Sequence, residues 1–491
     1  MGPGLGEPTR EGEAMRPRDR WMLAGGRWIQ GTGDGTFTVT DPATGEPLGV
    51  VAASSVADVD TAVAAARGAA PGWAATPAAE RGAALHAAAR AVEERMDELA
   101  ALVTAEMGKP TGDALGGVEA GIGTLRQYAE LGRLHGGRSL QGGRDAADFM
   151  VREPWGVVAA ITPWNDPVAI ACGLVGAAVA VGNAVVHKPS ERTPHTGAML
   201  AELVAGCLPD GVLNMVTGGG AVGEALAGHA GADVVAHVGS TRAGRRIAEL
   251  AARTGARTVL ENGGADPLIV DAGVDPSWAA EQAALGCFAN AGQICTSVER
   301  VYVHEAVAEP FLDALAARAR HLRTGPGAEP STELGPLVDE RHRTRVHQQV
   351  EKALADGARA LTGARLPEGP GCFYPATVLA GCADHMAIMA EETFGPVAPV
   401  RTVAGFEQAL EAANRSRYGL AATVLTRDMA HAQAAWRTLE AGTVKINAVF
   451  GGAPGGAAAP RRASGRGFGY GPELLDEMTA VKVVHVQAAI P

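Results

Sequence analysis

The sequence is short of aromatic residues, cysteine and net positive charge, and it has no long unbroken hydrophobic run. Aromatics are only 4% of its 491 residues, so packing falls to small side chains, among them 66 glycines. These glycines follow no Gly-X-Y period, which excludes collagen, and a charged content of 20% is too low for a disordered acidic chain. Lys and Arg number 42 against 54 Asp and Glu, and 42 − 54 = −12. That balance argues against a nucleic-acid partner, because neutralising phosphates takes clustered cations. The pairs Arg245-Arg246 and Arg461-Arg462 are isolated and read as solvated surface. Six cysteines with no Cys-x-x-Cys are too sparse for a disulfide framework, so a reducing, cytoplasmic setting is expected and no metal site is. The most apolar stretch, 168–186, is interrupted by Gly173, Gly176, Gly182 and Asn183 and reads as a buried helix plus a strand, so no membrane partner is expected. Residues 1–20 lack the apolar segment of a signal peptide and are expected to form a disordered tail.

A chain of this length predicts roughly three structural units, large enough to bury a core without staples. Residues 21–51 alternate short apolar runs with turn signals such as Asp41-Pro42-Ala43-Thr44-Gly45, a β meander. From residue 83 on, Leu85, Ala89, Val92, Met96, Leu99 and Val103 recur at helical steps and predict one amphipathic helix ending near Gly108. A polar, glycine-dotted stretch over 136–148 suits a protruding hairpin. Beyond it, strand-like runs at 156–161, 183–187, 212–216 and 234–238 alternate with helical patterns, which means βαβ units and a parallel sheet. A second alternating series follows residue 259 and runs to about 444, so two α/β units are expected.

Several short segments carry candidate chemistry. In Asn290-Ala291-Gly292-Gln293-Ile294-Cys295, a cysteine sits in a small-residue turn between a helix and a strand, a placement that suits a thiol adding to a carbonyl carbon. An inert buried thiol remains the alternative, and it fits Cys172, Cys207 and Cys287 better. Glu261, at a strand end before Gly263-Gly264, suits a general base whose pKa is raised by desolvation; a capping or solvated acid stays open. Asn165 follows a buried strand through Thr162-Pro163-Trp164, where its amide suits an oxyanion donor or a turn cap before Pro167. A literal Gly-x-Gly-x-x-Gly spans 218–223, a weak signal in so glycine-rich a chain. Val238-Gly239-Ser240-Thr241 offers a helix N-terminus to a pyrophosphate, and Lys188-Pro189-Ser190-Glu191 offers a cation and an acid to a ribose.

Taken together, these motifs resemble the aldehyde dehydrogenase superfamily, in its NAD(P)-dependent, non-acylating form. Pro163-Trp164-Asn165, Lys188-Pro189-Ser190-Glu191, Gly239-Ser240-Thr241-x-x-Gly244, Glu261-x-Gly263-Gly264, Gly292-Gln293-x-Cys295 and Glu392-Thr393-Phe394-Gly395-Pro396-Val397 occur in the family's order over residues 21–486. The resemblance implies an α/β fold with a Rossmann-like cofactor domain over 21–135 and 150–260 and a catalytic domain over 261–460. It also implies a small β oligomerisation element over 136–149 and 461–491, and hence a homodimer or homotetramer. Cys295 is implied as nucleophile, Asn165 with the Cys295 backbone N–H as oxyanion hole, and Glu261 as the base that activates water. Lys188 and Glu191 are implied to hold the adenosine ribose, with Gly220 near the adenine. Gly239, Ser240 and Gly244 belong to the turn that takes the pyrophosphate, while Trp164, Glu392 and Phe394 are placed at the cofactor, the last two at the nicotinamide ribose and ring.

The implied reaction is oxidation of an aldehyde to its acid through a thiohemiacetal and a thioester. Glu261 favours hydrolysis over acyl transfer to coenzyme A. Glu191 disfavours a 2′-phosphate by repulsion, implying NAD, with NADP left open because Lys188 is adjacent. Asp166 and His237 stand where the family carries aromatics, Asn262, Ala265 and Asp266 alter the segment after Glu261, and the late Pro-Phe-Gly-Gly-x-Lys segment becomes Ala458-Ala459-Pro460-Arg461-Arg462-Ala463. Few aromatics, with Asp166, His237 or Arg300 nearby, permit a small polar aldehyde, and a bulkier one stays open. The alternatives are an NADP-dependent semialdehyde dehydrogenase and an inactive family member acting as an interaction protein.

Overall fold

The computed structural model describes residues 21–451 and 456–487; the tail expected over 1–20 lies outside them. The run Val157–Ile161 is aliphatic and buried along its whole length, as a strand covered on both faces must be. It forms the centre of an eight-stranded sheet ordered Arg27–Gln30, Trp21–Ala24, Leu213–Met215, Ala184–Lys188, Val157–Ile161, Val234–Val238, Arg257–Glu261, Gly465–Arg466. The five middle strands are parallel and the edges antiparallel. The chain steps outward on one side of Val157–Ile161 and then returns to its other side at Val234–Val238. The strand order therefore reverses between these two, the place where α/β sheets open a ligand crevice at their carboxyl ends.

The second sheet has seven strands, ordered Arg359–Thr362, Thr377–Ala380, Val397–Val403, Val298–His304, Asp266–Val270, Ala421–Leu425, Thr443–Ile446, all parallel but the first. Its core is a separate hydrophobic cluster from the two that sandwich the first sheet. The apolar stretch after Pro167 is the helix Pro167–Ala180, enclosed on nearly every side and started by a proline that presets φ.

Two expectations are corrected. The single helix expected after residue 83 is two, Ala78–Glu94 and Met96–Met107, because Arg95 at φ −117°, ψ 22° leaves helical space. The residues assigned to the C-terminal tail divide: Thr479–Gln487 pairs with Ala146–Pro154 beside Arg138–Leu140, whereas Gly465–Arg466 joins the edge of the first sheet and Arg461–Arg462 pairs with Tyr418–Gly419. Thr479–Gln487 is an edge strand, with Val481, Val483 and Val486 exposed.

Candidate active site

The carboxyl end of Val157–Ile161 leads into Thr162-Pro163-Trp164-Asn165, which faces the segment before Cys295. Asn165 is buried, and its Nδ2 donates to the Gln293 carbonyl at 3.0 Å. Gln293 is fully enclosed: its side chain accepts from Val338 N at 2.9 Å and donates to the Asn290 carbonyl at 3.1 Å. Asn290 and Ala291 both adopt left-handed φ, 49° and 54°, unfavourable for residues with a Cβ. The Asn290 amide helps to hold that shape by donating to the Gln293 carbonyl at 3.2 Å. A tightly wound loop held by these bonds thus presents the cysteine, and Asn165 anchors it from the opposite sheet.

Cys295 keeps some accessible surface, unlike Cys172 and Cys287, while Cys207 is partly exposed rather than buried as expected; all six cysteines are free. Burial, followed by Glu261, Asp266, Glu392 and Asp166, pushes the Cys295 thiol up to about 12. It is therefore protonated at rest. Burial alone raises Glu261 to about 7, and its enclosed Oε1 has no hydrogen-bond partner. The Glu261 carboxyl lies on the α-carbon of Gly469, where any side chain would collide with it. Asp266 is raised to about 8, again chiefly by burial, with Lys445 and Arg300 opposing. Asp166 pairs with the buried Lys109 ammonium at 3.4 Å.

The residues expected at a cofactor fall around the same crevice. Lys188 ends its strand enclosed, Nζ donating to the Pro189 and Gly218 carbonyls, both at 2.7 Å, with an exposed Glu191 carboxylate 3.9 Å away. Ser240 caps Thr241–Thr254, its Oγ accepting from Ala243 N at 3.3 Å, and Gly244 is buried within that helix. Gly239 N donates to the Glu261 carbonyl at 2.9 Å, tying the turn to the end of the strand Arg257–Glu261. Gly220 is not in that turn; it opens the separate helix Gly220–Ala227, at its exposed start. Across the crevice, Glu392 accepts from Gly264 N at 3.2 Å, and the Trp164 and Phe394 rings meet edge to face at 5.6 Å.

Residues passed over in the sequence hold this arrangement. The buried Glu299 carboxylate accepts from Thr393 N and Phe394 N, both at 2.9 Å, fixing Phe394 at φ 56°. His342 Nε2 donates to the Phe394 carbonyl at 2.6 Å and its ring packs against Trp164. Arg192 lies over Trp164 at 5.2 Å and pairs with Asp339, which caps the helix carrying His342. For Glu299 a signal existed: an acid, next to Arg300, in a strand whose other residues before His304 are Val298, Val301, Tyr302 and Val303. For His342 and Arg192 there was none. Among the described residues no group of His, Cys, Asp and Glu could hold a metal, and no helix is long and apolar enough to cross a membrane.

Solved structures agree with this frame. The chain is similar to lactaldehyde dehydrogenase from Escherichia coli, 33% identical over 96% of this chain and 99% of that one, with a TM-score of 0.93. It is equally similar in fold to betaine aldehyde dehydrogenase from Staphylococcus aureus, solved with NAD+: 31% identity, 96% and 95% coverage, TM-score 0.93. The model of the aldehyde dehydrogenase family matches residues 28–484, nearly the whole chain, and this protein, with its two-sheet fold and Cys295 loop, belongs to the aldehyde dehydrogenase family.

Proposed function

We propose that this enzyme oxidises a small polar aldehyde to its carboxylic acid with NAD, through a thioester on Cys295. The observation that carries the reading is the meeting of Asn165, from the first sheet, with the Cys295 loop of the second, beside a carboxylate that has no partner. Cys295 starts as a thiol, so its proton leaves as the S–C bond forms, and Glu261, near 7 with an empty Oε1, suits the proton. The carbonyl oxygen becomes an oxyanion. One N–H of Asn165 is committed to Gln293, which leaves the other for that oxygen, alongside the Cys295 N–H.

The crevice fits a dinucleotide: a capped helix N-terminus after Gly239, an exposed acid at Glu191 and an acid at Glu392 that is raised to about 7 by burial. When bound, NAD supplies the nicotinamide that takes the hydride. Trp164 and Phe394, packed edge to face, would border the nicotinamide, and Glu299 with His342 keeps Phe394 in place. Once the proton taken from the thiol has passed to solvent, Glu261 as carboxylate takes a proton from water; the water oxygen bonds the thioester carbon, the S–C bond breaks to release the acid, and the proton on Glu261 returns to the sulfur. The Lys109–Asp166 pair near Cys295 supports a polar substrate, and the six free cysteines support a reducing, cytoplasmic setting. The apolar edge of Thr479–Gln487 supports a dimer or tetramer built by strand pairing.

An aldehyde panel followed as NADH tests this reading. Cys295→Ala abolishes turnover. Glu261→Gln gives one burst of NADH and then stalls at the thioester; a normal steady rate in that variant removes Glu261 from the hydrolytic step. Glu191→Ala narrows the preference for NAD over NADP, and unchanged selectivity discards the charge argument.

A further inference from the structure

His237 is the fourth residue of Val234–Val238 and is 5% exposed. It alternates onto the face of Val235, which packs with Ile247 and Leu250 of the helix Thr241–Thr254. A ring with two nitrogens in this aliphatic layer calls for partners, yet neither Nδ1 nor Nε2 has a hydrogen bond among the described residues. Burial holds the imidazole well below its usual range, at about 4, with the Ile161 carbonyl favouring protonation and Lys188 opposing it. The ring is neutral and carries one N–H; the Ile161 carbonyl lies near it but outside hydrogen-bond geometry, so that N–H has no well-formed bond among the described residues.

It is also aimed at a particular place. The imidazole leans along the strand over Gly239: a methyl group there would lie 2.7 Å from Cε1 and 2.9 Å from Nε2, so the turn must be glycine for the ring to reach it. Gly239 leads directly into the Ser240 cap and the first turn of the 14-residue helix Thr241–Thr254, whose leading N–H groups have no carbonyl within the helix. This strand end adjoins Val157–Ile161, where the strand order reverses. An unused side-chain donor, a helix N-terminus and the Lys188 ammonium therefore converge on one end of the crevice.

We propose that His237 donates a hydrogen bond to the diphosphate of the bound dinucleotide, adding a side-chain ligand to the backbone N–H groups that follow Gly239. This rests on the dinucleotide reading proposed above. The ligand class is an anionic diphosphate joining two nucleosides. A neutral imidazole serves it without taking up a proton, and the ring nitrogen that is orphaned in the unliganded fold is satisfied only when the diphosphate arrives.

Binding, measured apart from turnover, tests the assignment. NAD, ADP and adenosine are titrated calorimetrically into the full chain as wild type, His237→Phe and His237→Gln. His237→Phe weakens NAD and ADP by about 3- to 10-fold, the worth of one ordinary hydrogen bond, and leaves adenosine unchanged. The same variant raises the Tm of the unliganded protein, because a phenyl ring buries no unpaired nitrogen. His237→Gln, which keeps an N–H, holds NAD affinity within about twofold of wild type. Unchanged NAD affinity in His237→Phe overturns the proposal, as does an equal loss for adenosine, which would put the contact on the nucleoside, or a lowered unliganded Tm, which would mean that the ring had a protein partner. Wild type that fails to bind NAD sinks the dinucleotide reading and this inference together; tight NAD binding with an indifferent His237→Phe sinks only the inference.

Discussion

Replacing Asn165 by alanine isolates the oxyanion contribution, because the structure separates the catalytic loss from the structural one. The Asn165 amide has two N–H groups, and one is held by the Gln293 carbonyl at 3.0 Å. That carbonyl keeps a second donor, Asn290 Nδ2 at 3.2 Å, so truncating Asn165 orphans no buried acceptor. The expected stability cost is that of one hydrogen bond, about 1 kcal/mol. Losing one oxyanion donor instead costs ~2.7–4 kcal/mol in the transition state, a fall in rate of about 10²–10³. Single-turnover NADH formation under saturating NAD reads that fall directly, and calorimetric NAD affinity is expected to stay at the wild-type value. Asn165→Asp has nearly the same shape but no N–H, and it adds a fifth carboxylate to the four that already push the Cys295 thiol up, so it loses more than alanine does. A single-turnover rate within tenfold of wild type for folded Asn165→Ala would refute the role given to that amide.

Further outcomes concern pH, the Phe394 loop and assembly. In the proposed reaction Glu261 acts as a carboxylate, and burial raises it to about 7, so the steady rate is expected to climb with pH through about 7, with Glu261→Gln losing that limb of the profile. The stability sign follows: the folded chain holds the Glu261 proton between 4.5 and about 7 where the unfolded chain releases it, so this group's stabilisation is complete below 4.5 and gone above about 7. Glu261→Gln, blind to pH, is therefore expected to gain on wild type by up to ~3 kcal/mol between acid and neutral pH, read as a widening Tm difference. Glu299→Gln can accept only one of the two N–H groups of Thr393 and Phe394, at a cost of about 1–3 kcal/mol; NAD affinity and Tm both fall, while alkylation of Cys295 proceeds at the wild-type rate. Val483→Lys, on the exposed edge strand, lowers the solution mass in light scattering if subunits pair there, and an unchanged mass removes that edge from the assembly.

Much of the frame was legible because its signals are local. Aliphatic runs of strand length, punctuated by glycine and separated by helical stripes, marked both parallel sheets, and the small-residue turn around Cys295 stood out without any contact being known. The break at Arg95 was invisible because Leu85, Val92, Leu99 and Val103 lie in one hydrophobic cluster across it, so apolar spacing carries straight through a single non-helical residue. Glu299, His342 and Arg192 act through partners distant in sequence, as the pairs His342–Phe394, His342–Trp164 and Arg192–Asp339 illustrate, and no local pattern encodes such pairings. His237 was noted as an odd residue type, but its unsatisfied nitrogens follow from burial that only the fold reveals.

The short strand Gly465–Arg466 pairs with Leu260 and Glu261, and Gly469 just after it is the surface on which the Glu261 carboxyl rests. The cofactor-side sheet is therefore finished by a segment that the chain supplies only after every strand of the second sheet. Until then the chain leaves an open β-edge at Arg257–Glu261, and a chain cut before Gly465 would keep Cys295 while leaving the Glu261 carboxyl without the surface it rests on.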